Sequence, residues 1–250
     1  MVDGLLKILG KGVVVAGYDG NGLVALDKPC GILSHPNGNC GGARAVLSCR
    51  YDAVEQAYVL PCGRRIYLLN RLDSPVSGLI LVSLGVEIAD AVEVAFEEKK
   101  VNKEYVALTK GFPRHNCGIW RSKMEKKLPG KFIKVIPGAG VFAETKFECE
   151  GSFRVRGVTL SIVKLFPITG KTHQLRVHCA QNGLPIVGDE TYGNPRFNAF
   201  LRKNFENYRL FLHSRRISLS YAIGRKFFDF DAVSTVDFME IVKNFRCEKN

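Results

Sequence analysis

Short apolar runs broken by glycine, proline, asparagine and aspartate recur along the chain, the pattern of strands joined by turns. Val13–Ala16 and Leu23–Leu26 flank Gly17-Tyr18-Asp19-Gly20-Asn21-Gly22 and read as a two-stranded hairpin. Ile66–Leu69 and Leu79–Val82 bracket the polar segment Asn70-Arg71-Leu72-Asp73-Ser74-Pro75-Val76-Ser77-Gly78, which predicts strand, loop, strand. Ile88, Ala89, Val92, Ala95 and Phe96 then recur at helical spacing. They predict a helix from Val86 to Lys100, with Glu87 and Asp90 early and Lys99 and Lys100 late, as the helix dipole favours. Val101–Leu108 alternates toward a strand that carries Tyr105, and residues 142–150 and 157–166 look like paired strands. A turn at Gly170, with Thr172 as cap, opens a helix over His173–Ala180. Residues 43–62 read as a helix and a connection, Leu210–Ser214 and Ile217–Ser220 as late core strands, and 224–250 as a surface strand and helix.

Composition narrows the class. With 250 residues, 46% of them hydrophobic, and a mean hydropathy near zero, this is an ordinary globular chain with room for one generous core or two small ones. No stretch approaches the ~20 apolar residues of a membrane span. Met1–Gly12 contains Asp3, Lys7 and Lys11 and no long apolar centre, so it is not a signal peptide. The expectation is a soluble intracellular protein, bacterial-cytoplasmic or organellar, and not secreted. The eight cysteines show no C-x-x-C pair, no zinc spacing with histidine and no disulfide framework, so reduced and mostly buried thiols are expected. Gly38, Gly41 and Gly42 lack the spacing of a phosphate-binding fingerprint. His173 and His178 are five apart, the wrong interval for a metal pair on one helical face, and no metal is expected.

Charge points to a partner. The formal net charge is +12 and the sequence pI about 9.4, which favours an anionic ligand. Residues 99–134 hold eleven Lys or Arg against two acidic residues, +9 of that total, with Phe112, Trp120 and Phe132 between them. Such a run is often a solvated face; here it reads as a phosphate-tracking loop or arm. Lys28 and His35, on the loop Asp27–Pro36, are candidates to touch phosphate, and a solvated turn explains them equally well.

Three residues bear on chemistry. Asp73 is a lone carboxylate on a tight loop between two core strands, a rigid mount for a nucleophile or a base. An Asx turn with Arg71 as surface partner accounts for it as simply. Tyr105 is either strand packing or a ring placed to stack on, or exchange a proton with, something bound near Asp73. On the 173–180 helix, His173, Arg176 and Ala180 share one face while Leu175 and Cys179 share another. Arg176 is either half of a structural ion pair or the cation that keeps Asp73 ionised in a dry site.

Several motifs stand in one family's order. They are Asn70-Arg71-Leu72-Asp73 with Ser77-Gly78-Leu79, Lys103-x-Tyr105-x-Ala107-Leu108, and Thr169-Gly170-Lys171-Thr172-His173-Gln174-Leu175-Arg176-Val177-His178. Pro185-Ile186-Val187-Gly188-Asp189-x-x-Tyr192-Gly193 and Leu212-His213 follow, and Asp27-Lys28-Pro29-x-Gly31 with His35-Pro36 matches the family's opening. Over residues 22–220 the chain resembles the RluA family of RNA pseudouridine synthases. The resemblance implies an α/β (α+β) catalytic fold: one domain over 1–250 with a long, mixed, mostly antiparallel sheet, flanking helices and a central RNA-binding cleft. The basic stretch would be an insert, and no N-terminal RNA-binding module would precede the first motif.

The resemblance also implies roles. Asp73 would attack the target uridine of a ribosomal or transfer RNA, at the sugar or at the base. Tyr105 would lie against the base and help remove its C5 proton. Arg176 would pair with Asp73, and Leu175 or Val177 would floor the pocket. Because a stacked base is out of reach, the uridine would be flipped out, with Arg71 filling the gap. Lys28, Lys103 and His173 are further candidates to contact RNA. An isomerisation needs no cofactor, and a monomer is expected, with RNA and no membrane as its partner. Asn70 stands where the family commonly has histidine, and Val76 where it commonly has threonine. Two other readings are a catalytically silent RNA-binding or ribosome-assembly factor and a glycosidase-like enzyme. The three candidate catalytic residues argue against the first, and the lack of an evident second carboxylate against the other.

Overall fold

The computed structural model describes residues 2–36, 44–127, 134–205 and 208–246. In chain order the elements are α1 (Val2–Leu6), β1 (Val14–Tyr18), β2 (Leu23–Lys28), β3 (Arg50–Asp52), β4 (Ala57–Val59), β5 (Arg65–Leu68), β6 (Ser77–Ser83) and α2 (Val86–Glu97). There follow β7 (Asn102–Lys110), β8 (Cys117–Lys127), β9 (Lys134–Pro137), β10 (Val141–Val155), β11 (Val158–Pro167), α3 (Gln174–Gln181) and α4 (Pro195–Asn204). The last are β12 (Leu212–Ile223), β13 (Lys226–Val233) and α5 (Phe238–Arg246). Sheet dominates and helices are few, the expected α+β class. The chain falls into two compact units, Met1–Lys103 with Ser214–Val236, and Glu104–His213 with Asp237–Asn250.

In the first unit, β6 pairs antiparallel with both β2 and β5, and β2 pairs with β1. All seven residues of β6 and all six of β2 are buried, so their apolar stretches Leu79–Val82 and Leu23–Leu26 run without alternation. Helix α2 lays Ile88, Val92 and Ala95 into a cluster with Leu23, Ala25, Leu79, Leu81, Ile217 and Leu219. The helix ends at Glu97, three residues before the expected Lys100, and Lys99 takes the left-handed conformation common just past a helix end (φ 58°).

Residues 43–62 depart from expectation. Position 43 lies outside the described residues, and from 44 to 62 there is no α-helix. Instead β3 and β4 form a hairpin that continues to β5. Its turn is an Asx turn, with the Asp52 carboxylate accepting from the N–H groups of Val54 and Glu55 at 3.0 and 3.3 Å. Three-residue strands are too short to show a period of two.

In the second unit the strand order is β7-β11-β10-β8-β9, each neighbouring pair antiparallel. The tight β10–β11 hairpin turns through Arg156 and Gly157, both with positive φ (47° and 80°), as a two-residue turn of matching twist requires. Helix α3 packs on β8, β10 and β11. A core of Val106, Leu108, Leu160, Ile162, Phe211 and Val242 fills this unit.

The described part of the basic stretch is mostly strand, in β7, β8 and the start of β9. Gly38, Gly41, Gly42, Lys131 and Phe132 lie outside the described residues. On β8 the side chains alternate, Trp120 and Met124 buried, Arg121, Lys123 and Glu125 exposed. A period-2 pattern was present there, hidden because charge rather than apolarity fills the solvent face. The thiols also depart from expectation: Cys62 and Cys117 are exposed, Cys30, Cys49 and Cys149 half-buried, and only Cys179 of these six is buried. All six are free. Among the described residues no helix is long and apolar enough to cross a membrane.

Candidate active site

The loop between β5 and β6 carries Asp73, and both peptide neighbours of that residue are clamped. On one side the Ser34 hydroxyl donates to the carbonyl of Leu72 (2.7 Å) and accepts from its N–H (2.9 Å). On the other, the carbonyl of Ser74 accepts from the N–H of Gly31 (2.9 Å) and from Nζ of Lys28 (3.1 Å). A turn closes the loop, the N–H of Val76 donating to the carbonyl of Asp73 at 3.0 Å. The Asn70 side chain accepts from the N–H of Leu81 at 2.7 Å, so the unusual asparagine ties the loop to β6. Val76, the other departure, is buried. Gly78 then enters β6 at φ 104°, where an added Cβ would lie 2.1 Å from the carbonyl oxygen of Ser214. The Asp73 side chain is half-exposed on this frame. A rigidly mounted carboxylate that solvent or a ligand can reach is suited to nucleophilic attack or proton transfer.

Lys28, a candidate to touch phosphate, does not face solvent in this arrangement. It is fully buried, and its ammonium donates to the carbonyls of Pro29 (3.1 Å), Ile32 (2.7 Å) and Ser74. A buried cation must be paired or hydrogen-bonded, and three converging carbonyls meet that need. Lys28 is therefore a brace beneath the Asp73 loop. Arg71, by contrast, is exposed, and it lies near enough to Tyr51 to pull its phenol pKa down against the larger upward push of burial. His35 stacks on Tyr51, with ring centroids 4.7 Å apart and planes 12° from parallel.

In the second unit the expected helix start is corrected. Thr172 does not cap it; His173 is the N-cap, in the left-handed conformation (φ 55°), and the helix begins at Gln174. The turn before it is held by the Gln174 amide, whose oxygen accepts from the N–H of Lys171 (3.0 Å) and the hydroxyl of Thr169 (2.8 Å). The nitrogen of that amide donates to the Glu144 carbonyl and the Thr145 hydroxyl. A side chain that bridges turn and sheet replaces the simple cap.

Arg176 is buried and makes a bidentate pair with Asp189, Nε to one carboxylate oxygen at 2.7 Å and Nη2 to the other at 2.8 Å. Asp189 also accepts from the N–H groups of Thr191 and Tyr192. Burial pushes the Asp189 carboxyl pKa up, but the Arg176 hydrogen bond and charge, with those two N–H groups, outweigh it and hold the pKa below the usual value. The Arg176 guanidinium lies 5.1 Å from the Tyr192 ring centre, and the Tyr192 hydroxyl meets Nδ1 of His173 at 2.8 Å while accepting from the N–H of Val135. Sequence reasoning quoted Asp189 and Tyr192 within a motif without giving either a task. Asp189 lies thirteen positions after Arg176, a separation with no helical or strand period to mark the two as partners.

The remaining candidates are distributed as follows. Tyr105 is buried on β7, opposite Leu165. Leu175 and Val177 are buried on α3, Val177 in a cluster with Met124, Val135 and Ala143. Lys103 lies 5.8 Å from the Phe96 ring centre, and burial pushes its pKa down. Lys28, Arg71 and Asp73 gather around one loop of the first unit, and His173, Arg176 and Asp189 around Tyr192 in the second. Among the described residues no three His, Cys, Asp or Glu side chains are grouped to hold a metal.

Comparison with known proteins places this arrangement. Residues 22–181 match the model of the RNA pseudouridylate synthase family. The ribosomal large subunit pseudouridine synthase C of Vibrio vulnificus is 30% identical over 93% of this chain and 69% of its own length. The enzyme of the same name from Rickettsia felis is 32% identical over 86% of the chain and 66% of its own, and that from Vibrio cholerae is 31% identical over 84% and 62%. The chain thus spans about two thirds or less of the length of most of these relatives. Among solved structures, human RNA Pseudouridylate Synthase Domain Containing 4 superposes with a TM-score of 0.66 at 20% identity, covering 98% of this chain and 95% of that one, which shows a shared fold. With a family model spanning most of the chain and relatives at this level of identity, the chain belongs to the RluA family of RNA pseudouridine synthases.

Proposed function

We propose that this protein isomerises uridine to pseudouridine in ribosomal large-subunit RNA, with Asp73 as the attacking carboxylate. The observation that carries the reading is the Asp73 loop. A half-exposed carboxylate is fixed through both neighbouring peptide groups, Leu72 by Ser34 and Ser74 by Lys28. Its fixed position lets attack proceed without a search over loop conformations. The substrate class is supported by the names of the relatives and by the +12 charge, which suits an RNA backbone.

The reaction balances without a co-reactant. The C1′–N1 glycosidic bond of the uridine breaks, the uracil turns, and a C1′–C5 bond forms. The proton on C5 is lost and N1 gains one, so the composition of the RNA is unchanged. In this reading the uridine is flipped from its stack and Arg71, exposed two residues before Asp73, occupies the gap. Tyr105 takes part at the base, where the C5 proton must leave. Arg176 stabilises negative charge, its orientation set by the fork with Asp189.

Loss of the C5 hydrogen supplies the test. Unmodified large-subunit RNA transcribed with uridine tritiated at C5 should release tritium to water when incubated with the purified chain. Asp73→Asn should release none above background. Equal release by the variant would remove Asp73 from the chemistry, and no release by either protein would refute the proposed activity on this RNA.

A further inference from the structure

Close to the Asp73 loop lies an aromatic patch that the reaction itself does not use. His35 and Tyr51 are stacked face to face at 4.7 Å, and Tyr51 rests edge-on against the buried Tyr58 at 5.0 Å. Both stacked rings are half-exposed, whereas the surroundings they are braced against are not. The Tyr58 hydroxyl donates to the carbonyl of Ser34 at 2.6 Å, and Ser34 in turn clamps both backbone groups of Leu72. His35 therefore follows directly on the residue that holds the Asp73 loop, so the stack and that loop share Ser34 as an anchor. Nδ1 of His35 faces the carbonyl of Pro36 at 3.1 Å; a carbonyl only accepts, so Nδ1 carries the proton and the ring plane is fixed. Arg71, on the loop and electrostatically coupled to Tyr51, forms no salt bridge among the described residues.

We propose that the His35–Tyr51 stack is a platform for an unpaired nucleobase of the RNA, one flanking the target uridine, next to the gap that Arg71 fills and within reach of its charge. This rests on the reading of the chain as an RNA pseudouridine synthase and adds to it a second base-binding position. Flat rings held rigid next to an exposed cation are what single-stranded nucleic acid selects: every base offers a π-face, and the backbone offers charge. The tyrosine spends little conformational entropy because Tyr58 and His35 already hold it. One carboxylate oxygen of the neighbouring Asp52 accepts from the N–H groups of Val54 and Glu55.

The test is equilibrium binding, which needs no turnover. A fluorescein-labelled octamer of oligouridylate is titrated with the full chain and its variants, at several salt concentrations. Tyr51→Leu should weaken binding by about five- to a hundredfold, the range for loss of one stacked base, and by the same factor at every salt concentration. Tyr51→Phe should retain wild-type affinity. Arg71→Gln should instead flatten the salt dependence. On an octamer with abasic residues throughout, wild type and Tyr51→Leu should bind alike. The proposal is overturned if Tyr51→Leu binds oligouridylate as wild type does, if its deficit persists on the abasic octamer, or if the wild-type chain binds no oligouridylate. Failure of tritium release with these base-dependent effects intact would instead count against the catalytic reading alone.

Discussion

The buried ammonium of Lys28 donates to the carbonyl of Ser74 at 3.1 Å, across forty-six positions of sequence, and so fixes the residue next to Asp73. The same group also satisfies the carbonyls of Pro29 and Ile32. Lys28→Met keeps the stem and removes the donor, leaving carbonyls without that donor. Hydrogen bonds from a charged donor contribute about 1.5–3 kcal/mol each, and of the three half-buried carbonyls that of Ser74 keeps its bond from the N–H of Gly31. The expected result is a fall in urea midpoint corresponding to about 3 kcal/mol or more, with tritium release lost in whatever fraction remains folded. Lys28→Arg should not rescue, because a planar fork cannot converge on three carbonyls around a point. Wild-type stability in Lys28→Met would show that the brace contributes nothing.

The Arg176–Asp189 fork gives a second prediction. Asp189→Asn breaks a buried charge pair and leaves the guanidinium without its counter-charge, a change that typically costs about 3–5 kcal/mol. The depressed Asp189 pKa has a pH consequence. Its folded value lies below the unfolded one, so the stabilisation is present above the unfolded pKa and is lost as pH falls through the folded value. Denaturation curves should show the gap between wild type and Asp189→Asn narrowing in acid. A gap independent of pH would mean that packing, not charge, accounts for the loss.

His178 predicts the opposite end of the acid range. It is buried between the hydroxyls of Thr145 (2.9 Å) and Ser122 (3.1 Å), and burial pushes its pKa down to about 4. Between that value and the usual 6.5 of the unfolded chain, only the unfolded state binds the proton, so stability falls as pH drops through this window and is flat above it. Thermal melts from pH 7 to 4 should show a decline that is smaller in His178→Gln. Parallel curves would place the titrating group elsewhere.

How much of this was legible in the chain depended on period and on length. The β1–β2 hairpin, the β5–loop–β6 segment and α2 were readable because their apolar runs are long enough to carry a pattern, and β2 and β6 are buried throughout. The β3–β4 hairpin was not, because three-residue strands show no period. Lys28 misled for a physical reason: the sequence displays a cation but not the three carbonyls that enclose it. Asp189 was hidden likewise, since a helix residue and a loop residue thirteen positions on become partners only through the fold. The Asp73 loop was legible as a mount. What holds it, Ser34 from one side and Lys28 from another, was written in residues more than thirty positions away.

The central claim is that Asp73 makes this chain an RNA pseudouridine synthase, and chemical mapping of pseudouridine across total RNA tests it most directly. Cells with the intact gene, with the gene deleted, and with Asp73→Asn would be compared. The account predicts one or more large-subunit ribosomal RNA sites present in the first and absent from both others. Persistence of every site in the Asp73→Asn strain would contradict it.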